Sequence, residues 1–539
     1  MKKNLLSLIA LPLFCVCLTS CTIFDIVSKN SETTSFTGTK TEVEKAGAPN
    51  LVYKDIFLHA DSGKGAIPSQ GDVNLLVFPV EFSTHPFSSD DLNEISAAFS
   101  VNGEDTHYWE SVPSFYSKSS FGALNMSATI APKHVMNMSP TEFISPTETE
   151  NSGVLKIRDL FVSCVNEYKK TQDSMAKFDL DKDGRLDGVY IVYSCPTYVT
   201  DSSLHENFWA FSFQAGSTAN VNDPQLANVV WASKSFLHFN WEMNRDKPSR
   251  PKGAVDAHCL IHETGHMLGL DDYYNYDSLL DKSDSSYSLY APAGGVDMMD
   301  NNVVDHNMFS KYAMGWGNPY VVDNSYSYPI TLDLKPSQLA GEFLIIPANG
   351  TSFNNNAFAE YLMVEFYTPT GLNKNDSDSA LAGYYPKGFS KPGIKISHVD
   401  ARMIDITPTS NGASTTGFKD VVTKTQINSG NSKKYYDLGN ANTPSQSFGV
   451  EILSKNNVFL YHLLESSGVN TLKNGADATD SSLFTTKTGS NTFNTTKFKN
   501  FFAFSTASKG LFNSGKDFGY EIKVEAITAE SATITISRA

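Results

Sequence analysis

Asp256-Ala-His-Cys-Leu-Ile-His-Glu-Thr-Gly-His-Met-Leu-Gly-Leu-Asp-Asp-Tyr-Tyr274 holds the pattern His262-Glu263-x-x-His266, followed by Gly269 and Asp272. On a helix, residues four apart share a face one turn apart, so both imidazoles can reach a single ion. Glu263 projects one step round the same helix, placed to take a proton from a water beside that ion. Neutral imidazoles suit Zn²⁺, and a catalytic zinc keeps three protein ligands plus an open position. A straight helix would carry the chain away from the metal, so the third ligand must lie beyond it. Gly269 tolerates the left-handed conformation of a helix terminus. Asp272, six residues after His266, is then close enough to turn back, with Asp271 as its direct competitor. Histidine is scarce, at 12 of 539 residues, and a chance match to this pattern has odds on the order of one in a hundred. That weighs against an amphipathic helix carrying ordinary half-buried histidines.

Outward from this helix, periodicity sketches the surrounding fold. Val73 to Phe82 is an apolar, β-prone run expected as a strand, with Pro79 placing part of it near an edge or bulge. Asp90 to Phe99 and Tyr108 to Tyr116 read as helices, and Leu124 to Ile130 as a strand. Residues 153–170 set Val154, Ile157, Phe161, Cys164, Val165 and Tyr168 on one helical stripe. Phe208 to Phe213 and Val229 to Met243 are aromatic, β-prone runs expected to complete a sheet beside the metal helix. Residues 277–290 read as an exposed polar loop, and Asn307 to Trp316 as a helix. From about Tyr320, short β-prone runs separated by Gly, Asn, Ser and Pro dominate, the pattern of antiparallel β structure. The fold class is therefore α+β. A catalytic domain over residues 51–320, with a mixed sheet and an active-site helix, precedes an all-β region over 321–539 of one or two β-sandwich-like domains.

A second acidic motif lies upstream. Asp179, Asp181, Asp183, Gly184 and Asp187 match the first nine positions of a calcium-binding loop. The twelfth position is Tyr190, inside the expected strand Val189 to Tyr193, so this is not an EF-hand. Four carboxylates this close repel unless a cation or solvent neutralises them, which favours a structural Ca²⁺ over an acidic surface turn.

At the amino terminus, Lys2 and Lys3 precede an apolar run from Leu5 to Leu18, too short to span a bilayer comfortably. Leu18-Thr-Ser-Cys21 resembles a lipobox, so residues 1–21 read as a lipoprotein signal peptide with Cys21 as the lipidated residue. A plain signal peptide cut nearby is the alternative. Residues 22–50, rich in Ser, Thr, Lys and Glu, read as a flexible linker or in part a cleaved pro-segment. Net charge −16 and a pI near 5.2 argue against a nucleic-acid partner and give no attraction to anionic lipid. Membrane contact is then expected only through the lipid anchor. Cys164, Cys195 and Cys259 remain in the mature chain, an odd number that excludes a full disulfide framework and favours buried thiols.

Several separated stretches share one resemblance. They are Val80-Glu-Phe82, Ser111-Val-Pro-Ser-Phe-Tyr-Ser-Lys-Ser-Ser-Phe-Gly122, the Asp-rich loop, and His262-Glu-Thr-Gly-His-Met-Leu-Gly-Leu-Asp-Asp-Tyr273. Asp297-Met-Met-Asp300 with Phe309 to Trp316, Glu360-Tyr-Leu-Met-Val-Glu365 and Gly393-Ile-Lys-Ile-Ser-His-Val-Asp400 complete the set. Over residues 70–400 the chain resembles the immune inhibitor A family of bacterial secreted metallopeptidases. The resemblance implies a zincin-type α/β catalytic domain, β-rich domains after it, and endopeptidase activity. Carried over, His262, His266 and Asp272 would hold zinc and Glu263 would be the general base, an aspartate standing where the metzincin pattern has a third histidine. A methionine turn is a companion of elongated His-Glu-x-x-His sites, a role for Met298 or Met299, with simple core packing as the alternative.

The function expected is that of a zinc-dependent endopeptidase, secreted and lipid-anchored at the bacterial surface. It would act as a monomer on protein or peptide substrates, with metal-activated water and Glu263 as general base. Candidate donors to the oxyanion are His306, Tyr287 and Tyr312. One rival reading is a surface-displayed binding lipoprotein whose metal is structural, against which Glu263 counts, because a structural site has no use for a base. Another is a zinc hydrolase acting on something other than protein.

Overall fold

The computed structural model describes residues 35–56, 67–216, 218–239, 241, 250–278, 290–378, 387–410, 412–419, 421–431, 433–447, 458–506 and 508–539. The expectations for the signal peptide, for Cys21, for Tyr287 and for most of the loop 277–290 lie outside the described residues. What is described is a mixed α/β molecule with several sheets, compatible with the α+β class.

Two-residue alternation builds the first layer. β1 (Gly71–Phe82) lies centrally in a six-stranded sheet with β2 (Leu124–Ile130), β3 (His134–Met136), β4 (Val189–Tyr193), β5 (Phe211–Gln214) and β6 (Asn228–Ser233). The path is β2-β1-β4-β6-β5, parallel except for the antiparallel edge strand β5. Val73, Leu75 and Val77 point to one face with Tyr190, Val192, Val230 and Ala232. Leu76, Phe78 and Val80 point to the other with Ile191, Tyr193 and Trp231. Both faces are covered, as a mostly parallel sheet requires. On the first lie α1 (Ser89–Ala98), α2 (Val112–Ser119) and, further along the chain, the metal-motif helix; on the second lies α3 (Glu150–Lys169) with Ile157, Phe161 and Cys164 inward.

Pro79 is not at an edge. Its β2-side neighbour Val77 pairs with Ile130, where β2 ends, and β3 begins opposite Val80. Leu76 bonds toward β4 and Val77 toward β2, so alternation turns the missing Pro79 N–H into the gap between β2 and β3, where no ladder bond is lost. The run Val229 to Met243 stays extended only to Ser233. There the Ser233 hydroxyl caps a short 3₁₀ turn, Lys234–Leu237. The helix expected from Tyr108 starts instead at Val112, because Ser111 forms a capping box with Ser114.

The carboxyl-terminal half supplies β7 (Tyr320–Val321), β8 (Ile330–Leu334), β9 (Leu344–Pro347), β10 (Glu360–Tyr367) and β11 (Gly393–Asp400). A small excursion follows, in which β12 (Met403–Thr409) pairs with β13 (Gly412–Ser414), β14 (Phe418–Lys419) and β15 (Tyr435–Leu438). β16 (Tyr461–Leu464), β17 (Thr492–Phe493), β18 (Tyr520–Ile527) and β19 (Ala532–Arg538) complete the set. A five-stranded sheet, β16-β11-β10-β9-β7, packs on the four-stranded sheet β17-β18-β19-β8 through Leu362, Val364, Ile396, Ile522 and Ile534. Its other face sends Ile345, Tyr361, Met363, Val399 and Tyr461 into the same core as the metal-motif helix. The hydrophobic core therefore runs across the boundary expected at residue 320. Part of the expected linker is also held: Thr41 N–H donates to Thr331 O (2.6 Å), Lys45 pairs with Glu342 (2.7 Å), and Asn50 N–H donates to Asn355 O (2.9 Å). These contacts explain why a polar composition did not leave this stretch loose. No helix among the described residues is long and apolar enough to cross a membrane.

His462 on β16 is buried beside His398, sharing a hydrogen bond with the Tyr290 hydroxyl (3.0 Å), and burial pushes its ring down to about 3. The unfolded chain takes up a proton at this ring below pH about 6.5 and the folded chain does not. Stability should therefore fall between pH 6.5 and 3 by up to about 1.4 kcal/mol per unit from this group. Urea unfolding at pH 7 and pH 5 should show a smaller loss in His462→Gln; an unchanged loss would remove His462 as its source.

Candidate metal centre

The motif forms α4 (His258–Met267). Leu260, Ile261 and Met267 fix its inner face against the six-stranded sheet. Tyr190 on β4 shares a hydrogen bond with Thr264 (2.6 Å), and the Tyr116 hydroxyl of α2 donates to Ile261 O (2.7 Å). The helix ends where glycine permits: Gly269 has φ 105°, and Leu270 N–H returns to Gly265 O at 3.0 Å. Tyr273 then anchors the reversed chain, its N–H donating to Met299 O (2.7 Å) and its carbonyl accepting from Asn442 (2.9 Å).

The reversal brings Asp272, and not Asp271, to the histidines. Asp272 Oδ1 lies 3.0 Å from His262 Nε2 and 3.4 Å from His266 Nε2, and the two Nε2 atoms are 3.1 Å apart. His262 Nδ1 donates to Met298 O (2.9 Å) and His266 Nδ1 to Leu270 O (2.8 Å). A carbonyl can only accept, so each Nδ1 carries a hydrogen and each Nε2 faces the centre, where it offers a lone pair once its ring is neutral. Burial disfavours the charged rings, but Asp272 outweighs it, raising His262 and taking His266 to about 10. Burial also works against ionised Asp272, yet the two rings hold its carboxyl well below the usual range.

Glu263 is buried, lines the cleft, and receives the Ser212 N–H of β5. Burial raises its carboxyl above the ordinary value, partly offset by the two imidazoles. Its Oε2 and Asp272 Oδ1 have no directed hydrogen bond among the described residues. Beneath the helix, Gly265 leaves room for Met299: a Cβ there would stand 2.5 Å from its sulfur. The cleft measures about 740 Å³ and is lined by Trp209, Phe211, Phe236, Cys259, Tyr274 and Tyr276 among others.

The oxyanion candidates fare differently. The ring of His306 is buried against Phe115 and Tyr116, and Tyr312 bonds Asn355; neither lines the cleft. Sequence reasoning passed over Tyr274 and Tyr276, although a Tyr-x-Tyr directly after Asp272 was the available signal. Tyr276 donates to Asp272 Oδ2, and Tyr274 donates to Tyr276 (3.2 Å).

In the acidic loop, ligand atoms of Asp179, Asp181 and Asp187 lie within 4.8 Å of one another. Asp183 is outside this group, 3.6 Å from both Lys54 and Arg185, and Lys54 also pairs with Asp181. Asp179 and Asp187 are buried with Oδ1 atoms lacking partners among the described residues, and burial raises both, Asp187 to about 7.

No model of a known protein family matches the chain, and no curated protein matches it. Among solved structures, metalloproteinase-II from Bacteroides fragilis is similar at 12% sequence identity and a TM-score of 0.17, over 46% of this chain. The match spans about half of that chain, 51%.

Removing the Tyr276 hydroxyl deprives Asp272 of its outer partner. Tyr276→Phe should weaken binding of a divalent cation at this group about 10–100-fold in a competition titration; wild-type affinity would show that the hydroxyl does not orient the carboxylate.

Proposed function

We propose that this chain is a zinc-dependent endopeptidase with a zincin-like catalytic portion, in keeping with its resemblance to the immune inhibitor A family. The observation that carries the reading is a buried carboxylate oxygen, Glu263 Oε2, without a partner beside three converging ligand atoms in an open cleft. The donor set fits the metal. Tetrahedral ligands at roughly 2.0–2.1 Å from zinc stand about 3.3 Å apart, close to the 3.0, 3.1 and 3.4 Å separations of the three atoms. A structural zinc is closed by four protein ligands, whereas three with a cleft leave room for chemistry.

His262, His266 and Asp272 would hold Zn²⁺, which supplies Lewis acidity and eases deprotonation of water near neutral pH. Glu263 Oε2 takes the proton of the attacking water and delivers it to the leaving nitrogen. Its raised pKa suits the second task as much as the first. The hydroxyl hydrogens of Tyr276 and Tyr274 are committed to Asp272 and to Tyr276, so this pair orients the Asp272 carboxylate within the cleft. Among the described residues β5 is the edge strand of its sheet and lines the cleft with Phe211 and Ser212, the wall along which an extended peptide would lie by strand addition.

Further parts of the reading rest on sequence alone: a signal peptide with lipidation at Cys21, a place at the bacterial cell surface, and action as a monomer. Asp179, Asp181 and Asp187 would hold a structural Ca²⁺, supported by the partnerless Oδ1 atoms of Asp179 and Asp187. Asp183, expected among these ligands, lies outside the group of three.

Glu263→Gln should keep its zinc while hydrolysis of denatured casein falls about 10²–10⁴-fold; undiminished turnover would end the peptidase reading. Calcium at about 100 times its Kd should stabilise the fold by roughly 2.7 kcal/mol, and Asp187→Asn should abolish the gain. A thermal midpoint indifferent to millimolar calcium would dismiss the second site.

A further inference from the structure

One turn before His262, the first residue of α4 is itself a histidine, and nothing above gives it a task. His258 is fully buried, its ring stacked on Trp109 at 4.0 Å and 10°. Nδ1 meets Asp256 Oδ1 at 2.6 Å and Nε2 meets Asp376 Oδ2 at 3.3 Å. Both partners are carboxylates that carry no hydrogen when ionised, so both ring nitrogens donate and the ring is an imidazolium. Burial opposes that charge, but the two carboxylates override it and raise the ring to about 10.

A cation at the start of a helix opposes the helix dipole, and Ala257 offers no side-chain cap. Asp256 compensates, its Oδ1 also accepting the His258 N–H at 3.0 Å. Asp376 comes from the far half of the chain, on α5 (Lys374–Asp378). The same Oδ2 accepts the N–H of Val304 at 2.6 Å. Val304 is β-branched yet sits at φ 57°, a conformation that persists only where its surroundings impose it. It lies shortly after Met298, whose carbonyl orients His262, and Met299, which passes under Gly265. One carboxylate thus touches both the start of the ligand helix and the segment beneath it.

We infer that Asp376 and His258 are positioning residues that set the placement of α4, and with it the spacing of His262 and His266, against the Met298–Val304 segment. A helix pinned at its first residue by two charged bonds cannot rotate or slide without parting them, and His262 is only one turn away. The coupling runs from the carboxyl-terminal half into the ligand set, with neither residue touching substrate or metal. This inference rests on the metal-site reading above, though not on peptide hydrolysis.

The test uses the full chain with Zn²⁺, with Co²⁺ as a spectroscopic substitute, and with denatured casein. Asp376→Asn retains an oxygen for Val304 but removes the charge facing His258. It should bind Zn²⁺ about 10–100-fold more weakly, shift the visible absorption bands of the Co²⁺ protein, and lower kcat while KM stays within about twofold. His258→Gln should do the same. Ile534→Ala, in the distant sandwich core, should lower the thermal midpoint while leaving Zn²⁺ affinity and the Co²⁺ spectrum unchanged. Wild-type affinity and spectrum in a folded Asp376→Asn would overturn the inference. Should neither variant fold, Asp376→Glu decides: it keeps the charge on a longer arm, so a shifted spectrum supports the inference and an unshifted one defeats it. A wild-type protein that binds Zn²⁺ but leaves casein intact would end the peptidase reading while these metal readouts still judge the clamp.

Discussion

The molecule is organised around a reversal of direction within six residues. Beyond His266 the chain must stop its helix, turn, and bring a carboxylate back under two imidazoles. Gly269 makes the turn sterically free, at φ 105°. Nothing in the turn itself repays burial of Asp272, whose side chain is only 6% exposed. A buried carboxylate is costly unless its oxygens are engaged, so the reversal survives because Asp272 meets His262, His266 and Tyr276, and because Tyr273 is tied to Met299 and Asn442. A divalent cation among those atoms would answer the same need more fully.

Rigidity around this turn comes from two sheets with different roles. The six-stranded sheet holds α4 from below through apolar packing, and Tyr190 and Tyr116 add hydrogen bonds to the middle of the helix. The five-stranded sheet works from the side. Tyr461 stacks on Tyr273 at 5.4 Å, and Tyr361 and Met363 reach the same core. A strand such as β10, buried on both faces, can join two layers because its odd and even residues serve different neighbours.

Much of this was legible in the chain because it is local. The helix, its glycine stop and the returning aspartate are separated by fixed spacings that one turn of helix converts into geometry. Strands β1 and β4 announced themselves through uninterrupted apolar runs. Pairings remote in sequence were not legible. Asp376 lies 118 residues from His258, and no periodicity connects them. The continuous core across residue 320 was hidden for a related reason: a strand apolar on both faces reads alike whether its second layer is another sheet or a helix. Pro79 suggested an edge because composition cannot show that one neighbouring strand stops and another starts beside it. Polar residues 41–50 looked loose because backbone hydrogen bonds, which hold Thr41 and Asn50, leave no trace in side-chain character.

The five-stranded sheet also fixes when the molecule can become competent. A chain synthesised from its amino terminus delivers His262, Glu263 and His266 well before Asn442 and Tyr461 emerge. Until those last supports arrive, the Asp272 turn lacks the carbonyl bond from Asn442 and the ring of Tyr461. Completion of the centre is thereby deferred until most of the chain has been made, so a half-made chain holds His262, Glu263 and His266 without the supports that fix Asp272 beside them.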